Sequence, residues 1–321
     1  MKAIYLEKKA GADALVIGDI PRPNLRSGEI LIKVHATAIM PTELTWMPTF
    51  NTASGQPRPF PIVLSHEFSG VVESANGGAN GFKAGDEVYG LNDWFVNGAQ
   101  AEYCAAPTTS LAPKPKTLRH TEAAVVPISA LTAWQGLFEK GRLEMKQRVL
   151  IHGASGAVGT FAVQLARWRG AHVTATASAA NLDFVRALGA DVVIDYHATR
   201  FEDVVCDMDV IFDGVGGETL ERSWKILKKT GQMVSIVGDT TRAPLSQRSR
   251  DVFMLVRSDG QQLAEIGKMI DAGELRVFVE AAYPLEQAKE AYARAARGKM
   301  RGKIALSLSE DSLISENPKN P

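Results

Sequence analysis

The sequence predicts an α/β protein in two parts: a β-rich N-terminal portion, then a parallel sheet covered by helices on both faces. Three observations carry the prediction. Short apolar or alternating runs crowd the first third of the chain with no regular helices between them. From Val149 onward, apolar strands alternate with helical segments, the pattern of right-handed parallel crossovers. Between the first of those strands and the first of those helices stands a glycine-bearing turn, Gly153–Gly159. The composition agrees: 321 residues with 45% hydrophobic and 22% charged side chains are globular in balance and long enough for two cores.

Taken in order, Ala3–Leu6, Ala14–Gly18, Ile30–Ala36, Ile62–Glu73, Glu87–Leu91 and Ala99–Ala105 read as strands. Pro21-Arg22-Pro23, Gly77-Gly78 and Gly98 punctuate them. Thr45–Pro61, rich in proline, reads as a long loop of the kind that often walls a pocket. Composition changes near Leu118, and Thr121–Val126 and Ala130–Lys140 have helical spacing. Val149–His152 is a buried-strand run, Val158–Arg169 a helix, His172–Ala177 a strand and Asn181–Leu188 a helix. Asp191–Asp195, Val210–Asp213 and Met233–Val237 continue the strands. Asp239–Arg250 then reads as a polar, arginine-rich surface loop. Gln261–Ala272 and Leu285–Ala296 follow as helices, Leu275–Val279 and Lys303–Leu308 as strands. The last strand lacks a partner of its own and is expected to return to the N-terminal part. Ser309–Pro321 reads as a disordered polar tail.

Charge and cysteine content narrow the function. Thirty-six basic residues balance 36 acidic ones, which gives no broad electrostatic footprint for nucleic acid or an anionic membrane. Cys104 and Cys206 lie far apart and outside any Cys/His cluster, which excludes a disulfide framework and a multi-cysteine zinc module. Met1–Gly11 is too short an apolar patch, and too soon charged, for a signal peptide. The uncharged stretch Val149–Ala166 is cut by glycines and polar residues, so no spanning helix is predicted. Cytoplasm is the default expectation.

In Gly153–Gly159, glycines permit a tight turn and close approach of backbone N–H groups to a diphosphate, with the positive end of a helix behind them. An ordinary tight strand-to-helix turn is the plainer alternative. An NAD site would place an acid at the end of the second strand, yet that strand ends at Ala177-Ser178, and Met145–Leu182 contains no carboxylate. Lys146, Arg148, Arg167 and Arg169 lie in the same stretch. Ser178 and Asn181 can hydrogen-bond a 2′-phosphate that an acid would repel, so NADP(H) is expected over NAD(H). Ser178 can alternatively, or in addition, cap the following helix.

Gly153–Arg167, GASGAVGTFAVQLAR, resembles the signature of the quinone oxidoreductase branch of the medium-chain dehydrogenase/reductases. Leu150, Ala154-Ser155-Gly156, Gly159, Gln164 and Arg167 fall at its spacing, and Ala157 departs from its second glycine. His66-Glu67 with Gly70, Gly85-Asp86-Glu87-Val88, Ala101-Glu102-Tyr103 and Thr132-Ala133-Trp134 match as well. So do Leu188-Gly189-Ala190-Asp191, Phe212-Asp213 with Val215-Gly216-Gly217, and Gly302-Lys303-Ile304. The resemblance implies a GroES-like β-domain, residues 1–122 and 258–321, around a Rossmann-type NADP-binding domain at 123–257, with the active site in the cleft between them. It implies that Ser155, Gly156, Ala157 and Val158 hold the diphosphate and that Ser178, Asn181 and Tyr196 hold the 2′-phosphate. Thr132, Val215 and Val237 would lie along the ribose and nicotinamide. For Tyr196, a packed strand-end aromatic is the alternative. A homodimer joined through the edge strand near Met233–Val237 is also implied.

Zinc alcohol dehydrogenases share the superfamily, and Ser65-His66-Glu67 resembles their ligand motif. Their other catalytic ligands fall on Met40 and Ile128 here, which cannot replace thiolate or carboxylate, and Asn76 departs from their longer signature. A metal-free site is therefore expected. His66 is then either a hydrogen-bonded structural histidine or a catalytic acid, and Thr42 either a proton-donating hydroxyl or a local backbone bonder. Met40, Trp46 and Phe50 are candidates for a substrate pocket, with Phe60 nearby; simple loop packing is the alternative. The expected activity is metal-free, NADPH-dependent hydride transfer to a small electrophile, a quinone or an α,β-unsaturated carbonyl. The alternatives are an enoyl or alkenal double-bond reductase and a non-enzymatic NADPH-binding protein.

Overall fold

The computed structural model describes residues 1–75, 81–238 and 251–309. The Gly77-Gly78 punctuation, Asn76, the arginine-rich loop at 239–250 and the tail at 310–321 lie outside them. The chain divides into two compact units, one of Met1–Ile128, Ser258–Gly273 and Val277–Pro321, the other of Ser129–Arg257 with Glu274–Arg276. Among the described residues, no helix is long and apolar enough to cross a membrane.

The first unit begins with β1 (Lys2–Leu6), β2 (Val16–Asp19), β3 (Glu29–Ala38), the short helix α1 (Met47–Phe50), β4 (Ile62–Val63) and β5 (Glu67–Ala75). After these come β6 (Glu87–Leu91), β7 (Tyr103–Pro107), β8 (Leu111–Pro113) and the short helix α2 (His120–Ala123). Helix α3 (Pro127–Trp134) leads into the second unit and opens into a π-helical turn, Gln135–Lys140. A β-carbon on Gly136 would meet Phe212 Cε2 at 2.4 Å, so only glycine lets this turn lie on the sheet. The second unit continues with β9 (Arg148–His152), α4 (Ala157–Trp168), β10 (His172–Ala177), α5 (Leu182–Ala187) and β11 (Val192–Asp195). It closes with β12 (Met208–Asp213), α6 (Gly217–Ser223) and β13 (Leu227–Ser235). The chain then returns to the first unit with α7 (Gly260–Asp271), β14 (Val279–Pro284), α8 (Ala288–Ala296) and β15 (Lys303–Ser307).

The first unit holds an antiparallel sheet β2-β1-β4 and a seven-stranded sheet of order β14-β15-β3-β5-β6-β8, with β7 also on β3. In β3 the alternating Ile30, Ile32 and Val34 turn inward onto Phe68, Val72 and Val88. The last strand does return, pairing antiparallel with β3 (Ala305 opposite Ala38), and it gains β14 as a second partner. The second unit is a parallel sheet of order β11-β10-β9-β12-β13. Chain order reverses between β9 and β12, so the loops leaving those two strands flank the crevice where α/β sheets bind ligands.

Three expectations shift, each for a local reason. The run at 62–73 is two strands, because Ser65 takes φ +61° and interrupts the ladder. The run at 99–105 becomes a strand only at Tyr103, because residues 98–100 bond instead to the turn at 63–65. A β-carbon on Gly98 would lie 2.3 Å from the Leu64 and Ser65 carbonyl oxygens. The strand expected at 275–279 starts only at Val279, because Gln164 binds the Arg276 backbone, accepting its N–H at 2.9 Å and donating to its carbonyl at 3.1 Å.

Candidate cofactor site and catalytic residues

The glycine turn lies at the C-terminal end of β9, whose Val149, Leu150 and Ile151 are buried. Gly153 takes φ +74°, a conformation that favours glycine. Gly156 is the N-cap of α4, and no side chain caps that helix, so its first N–H groups keep their capacity for an anion. A β-carbon on Gly159 would sit 2.2 Å from the Gly153 carbonyl oxygen, so glycine is what lets α4 pack onto the turn. Ala157 and Val158, the first residues of α4, are partly exposed.

The ends of neighbouring strands bring Ser178, Asn181 and Val215 beside this turn. Asn181 Nδ2 donates to Ser155 Oγ and to Ser178 Oγ, both at 3.3 Å, so three side chains from two loops form one polar cluster. Ser178 stands at the N-cap position of a short 3₁₀ turn, but its side chain makes no capping bond, which sets the capping alternative aside. Tyr196 directly follows β11, its N–H donates to the Ala177 carbonyl at 3.3 Å, and its ring lies 4.3 Å from that of His197. At 54% exposed, Tyr196 is not a packed strand-end aromatic. Across the switch point, Val215 is exposed, and a β-carbon on Gly216 would meet Val237 Cγ1 at 2.7 Å, so these two expected residues adjoin. Thr132 is buried in α3.

Two polar residues that sequence reasoning left out organise these loops. Asp213, buried at the end of β12, accepts the N–H groups of Val215 and Gly216 and the Ser235 hydroxyl. Burial raises its carboxyl pKa, and those three donors oppose the rise. An acid ending an apolar strand before a glycine turn was the available signal. His152, buried at the end of β9, lies 3.0 Å from Thr176 Oγ1 through Nδ1 and 3.0 Å from Ser223 Oγ through Nε2. Ser223 Oγ donates its proton to the Thr219 carbonyl at 2.7 Å. His152 Nε2–H therefore donates to Ser223, and Nδ1 accepts from Thr176. Burial, with Arg222 nearby, pushes the imidazole down to about 3, so the ring is neutral.

In the first unit, Thr42 is exposed, and its carbonyl accepts the N–H groups of Thr45 and Trp46 at 3.0 Å. The next residue, Glu43, is fully buried. Glu43 Oε2 accepts the Ser65 N–H at 2.5 Å, and Oε1 lies 3.1 Å from His66 Nδ1. His66 Nε2 lies 3.0 Å from the Val96 carbonyl, and only 1% of the residue is exposed. Both ring nitrogens are thus engaged, the arrangement of a hydrogen-bonded structural histidine. Ser65 itself is tied down by Thr37, whose hydroxyl donates to Ser65 Oγ at 2.6 Å. Trp46 lies edge-on to Trp94 with ring centroids 5.2 Å apart, and Trp94 lies 5.2 Å from the His66 ring. Met40 is partly buried beside this group in sequence. Phe50 departs from the pocket expectation, because it packs into the core with Ile62, Leu64 and Tyr292. Glu43 and Trp94 are absent from the sequence reading, since neither belongs to a local motif.

A zinc ion does not fit these residues. Met40 and Ile128 offer no suitable donor, both His66 nitrogens are engaged, and Glu67 is held by Lys303 Nζ and the Ile128 N–H. Burial raises the Glu67 carboxyl pKa, opposed first by Lys303. Among the described residues, no three His, Cys, Asp or Glu side chains are grouped to hold a metal.

Two family profiles match stretches of the chain. The profile described as alcohol dehydrogenase GroES-like domain matches residues 26–116, and that described as zinc-binding dehydrogenase matches residues 188–306. A probable zinc-binding oxidoreductase, mitochondrial, of Arthroderma benhamiae is 34% identical over 89% of this chain and 90% of its own. The NAD(P)H oxidoreductase RTN4IP1, mitochondrial, of Danio rerio is 32% identical over 88% of this chain and 84% of its own. The solved quinone oxidoreductase of Coxiella burnetii superposes with a TM-score of 0.87 at 29% identity, covering 96% of this chain and 99% of that one. The mitochondrial names of the first two relatives overturn the cytoplasmic expectation.

Proposed function

Because the chain belongs to the medium-chain dehydrogenase/reductases, as an NAD(P)H-dependent oxidoreductase of their quinone oxidoreductase branch, we propose that it uses NADPH to reduce an electron-poor conjugated acceptor. A quinone or an α,β-unsaturated carbonyl is the acceptor class. The observation that carries the cofactor choice is the neutral donor cluster of Ser155, Ser178 and Asn181 at the end of β10, where an acid would repel a 2′-phosphate. Tyr196 stands exposed on the adjacent strand end and completes that subsite. Gly156, Ala157 and Val158 offer the start of α4 to the diphosphate, and Thr132, Val215 and Val237 line the ribose and nicotinamide. Bound NADPH supplies the hydride; a conjugated acceptor takes it without a Lewis acid because the anion that results is delocalised.

The chain's own residues then place the acceptor and its proton. Thr42, with an exposed side chain, is the proton-donating candidate, whereas His66 is enclosed and holds its neighbours in place. Trp46 offers an aromatic wall to the acceptor. A homodimer through β13, the edge of its sheet, belongs to the same reading, and light scattering across a concentration series checks it. The function is tested by NADPH and NADH oxidation over a panel of quinones, enones, enals and saturated carbonyls. Turnover of the conjugated members with NADPH preferred is the expected result. Activity confined to saturated alcohols and abolished by a chelator, or a preference for NADH, overturns it.

A further inference from the structure

The hydrogen-bonding arithmetic around His66 does not close with a neutral imidazole and a carboxylate. Nδ1 faces Glu43 Oε1 at 3.1 Å and Nε2 faces the Val96 carbonyl at 3.0 Å, and both partners are acceptors. A neutral imidazole has one N–H, so one of these contacts would set a lone pair against a lone pair at a ring that is only 1% exposed. The charge count points the same way. Two buried carboxylates, Glu43 and Glu67, flank this turn, and Lys303 neutralises only Glu67. Arg58, whose guanidinium donates to the Thr49 carbonyl and to Asn97, and the Tyr292 phenol, hydrogen-bonded to Gln100, also lie close enough to feel Glu43. Neither has a hydrogen bond to Glu43, so His66 is the group in place to neutralise it.

We propose that Glu43 and His66 form a buried carboxylate–imidazolium pair, and that Glu43 is a positioning residue that ties the Thr42–Trp46 turn to the Ser65–His66 turn and to Trp94. The ties run in both directions along the chain. Glu43 sits between Thr42 and the turn bond that Trp46 makes to the Thr42 carbonyl, and it holds Ser65 at its left-handed φ through the Ser65 N–H. The Trp94 ring lies within cation–π range of the imidazolium and carries Trp46 on its edge. A single carboxylate therefore sets the spacing between the Thr42 hydroxyl and the Trp46 wall. The pair's existence is independent of the proposed function; its role in placing an acceptor rests on that reading.

The experiment counts protons on His66. Two-bond ¹H–¹⁵N spectra of the full chain at neutral pH, with the His66 signals assigned by their loss in His66→Gln, are expected to show both nitrogens protonated. In Glu43→Gln the carboxamide donates to Nδ1 and accepts from Ser65, so one N–H on His66 is expected with the fold kept. A neutral His66 in the unaltered chain overturns the pair. Positioning is read from the indole N–H signals, with Trp134, Trp168 and Trp224 of the other unit as internal controls. Glu43→Ala is expected to shift Trp46 and Trp94 alone, to lower acceptor kcat/KM at least tenfold, and to leave the NADPH Kd within twofold. Glu43→Gln is expected to restore most of each change. Unmoved Trp46 and Trp94 signals, or parallel losses of NADPH affinity and turnover, overturn the positioning role. Should Glu43→Ala fail to fold, the Glu43→Gln spectra still decide the charge on His66, and Glu43→Asp, whose carboxylate is one methylene short of Ser65 and His66, takes the place of Glu43→Ala in the Trp46 and Trp94 test. An unaltered chain that oxidises NADPH with no conjugated acceptor sinks the proposed function, while these spectra still judge the pair.

Discussion

Acidification is expected to loosen the cofactor-binding unit through His152. The ring is neutral and sealed between Thr176, Ser223 and the Phe201 ring, 4.7 Å away. Its pKa is pushed down to about 3, first by burial and then by Arg222. In the unfolded chain it titrates at about 6.5. A base whose folded pKa is depressed favours folding above the unfolded value, and that contribution is lost as pH falls toward the folded one. Each pKa unit is worth about 1.4 kcal/mol, so the loss reaches about 2 kcal/mol at pH 5 and about 4 kcal/mol at pH 3. Between pH 7.5 and 5 the Asp and Glu side chains with ordinary values near 4 stay charged, and the two carboxyls that burial raises, Glu67 and Asp213, are common to the unaltered chain and the variant compared with it. His120, pushed down to about 4, first by burial and then by His35, acts in the same direction. Comparison with His152→Gln cancels it. At pH 7.5 that variant is expected to be less stable than the unaltered chain by about 1–3 kcal/mol, having lost part of the network. By pH 5 the gap is expected to narrow by about 2 kcal/mol, read from urea midpoints at constant m-value. A gap that stays the same at both pH values refutes the reasoning.

Three further outcomes follow from the geometry. Lys303→Met strands the Glu67 carboxylate in the core and is expected to cost about 3–5 kcal/mol in urea unfolding, with part recovered in the double variant Glu67→Gln/Lys303→Met; a loss under 1 kcal/mol contradicts the buried pair. Gly159→Ala places a methyl group against the Gly153 carbonyl, so NADPH affinity is expected to fall at least tenfold by isothermal titration, and unchanged affinity counts against the turn as the diphosphate seat. Ser178→Asp sets a negative charge at the end of β10 and is expected to raise the NADPH Kd at least tenfold while the NADH Kd changes less than threefold; equal effects on both cofactors place the 2′-phosphate elsewhere.

The cofactor turn was legible because its determinants are contiguous. An apolar strand, a positive-φ glycine, a second glycine at the helix start and a third at the packing contact all fall within the twelve residues Arg148–Gly159, and each answers to backbone sterics. The alternation from Val149 onward carried the parallel sheet for the same reason, since side-chain periodicity reports local burial. That Ser178 and Asn181 stand at the end of β10 was legible one step removed, because the strand itself was legible. The clash beneath Gly98 and the capture of the Arg276 backbone by Gln164 left no local trace, and so the strand expected at 275–279 lies elsewhere. Phe50 looked like a loop aromatic because hydropathy cannot distinguish a pocket wall from a core wall.

By itself the sequence determined the fold class, the glycine turn, the absence of an acid at the ribose position, and a set of side chains too poor in thiolates for the zinc sites of its relatives. Tertiary structure alone decided what His66 touches. Its partner Glu43 lies 23 residues earlier and its second acceptor, Val96, 30 residues later. Neither separation carries a period or motif, because the contacts arise only when β5, the Met40–Leu44 turn and the loop after β6 fold onto one another. A protonation state depends on how many acceptors surround a ring and how little water reaches it, and both are properties of packing. The two cysteines and the lone motif histidine said only which zinc-ligand types the sequence lacks; the fold supplied the carboxylate beside His66.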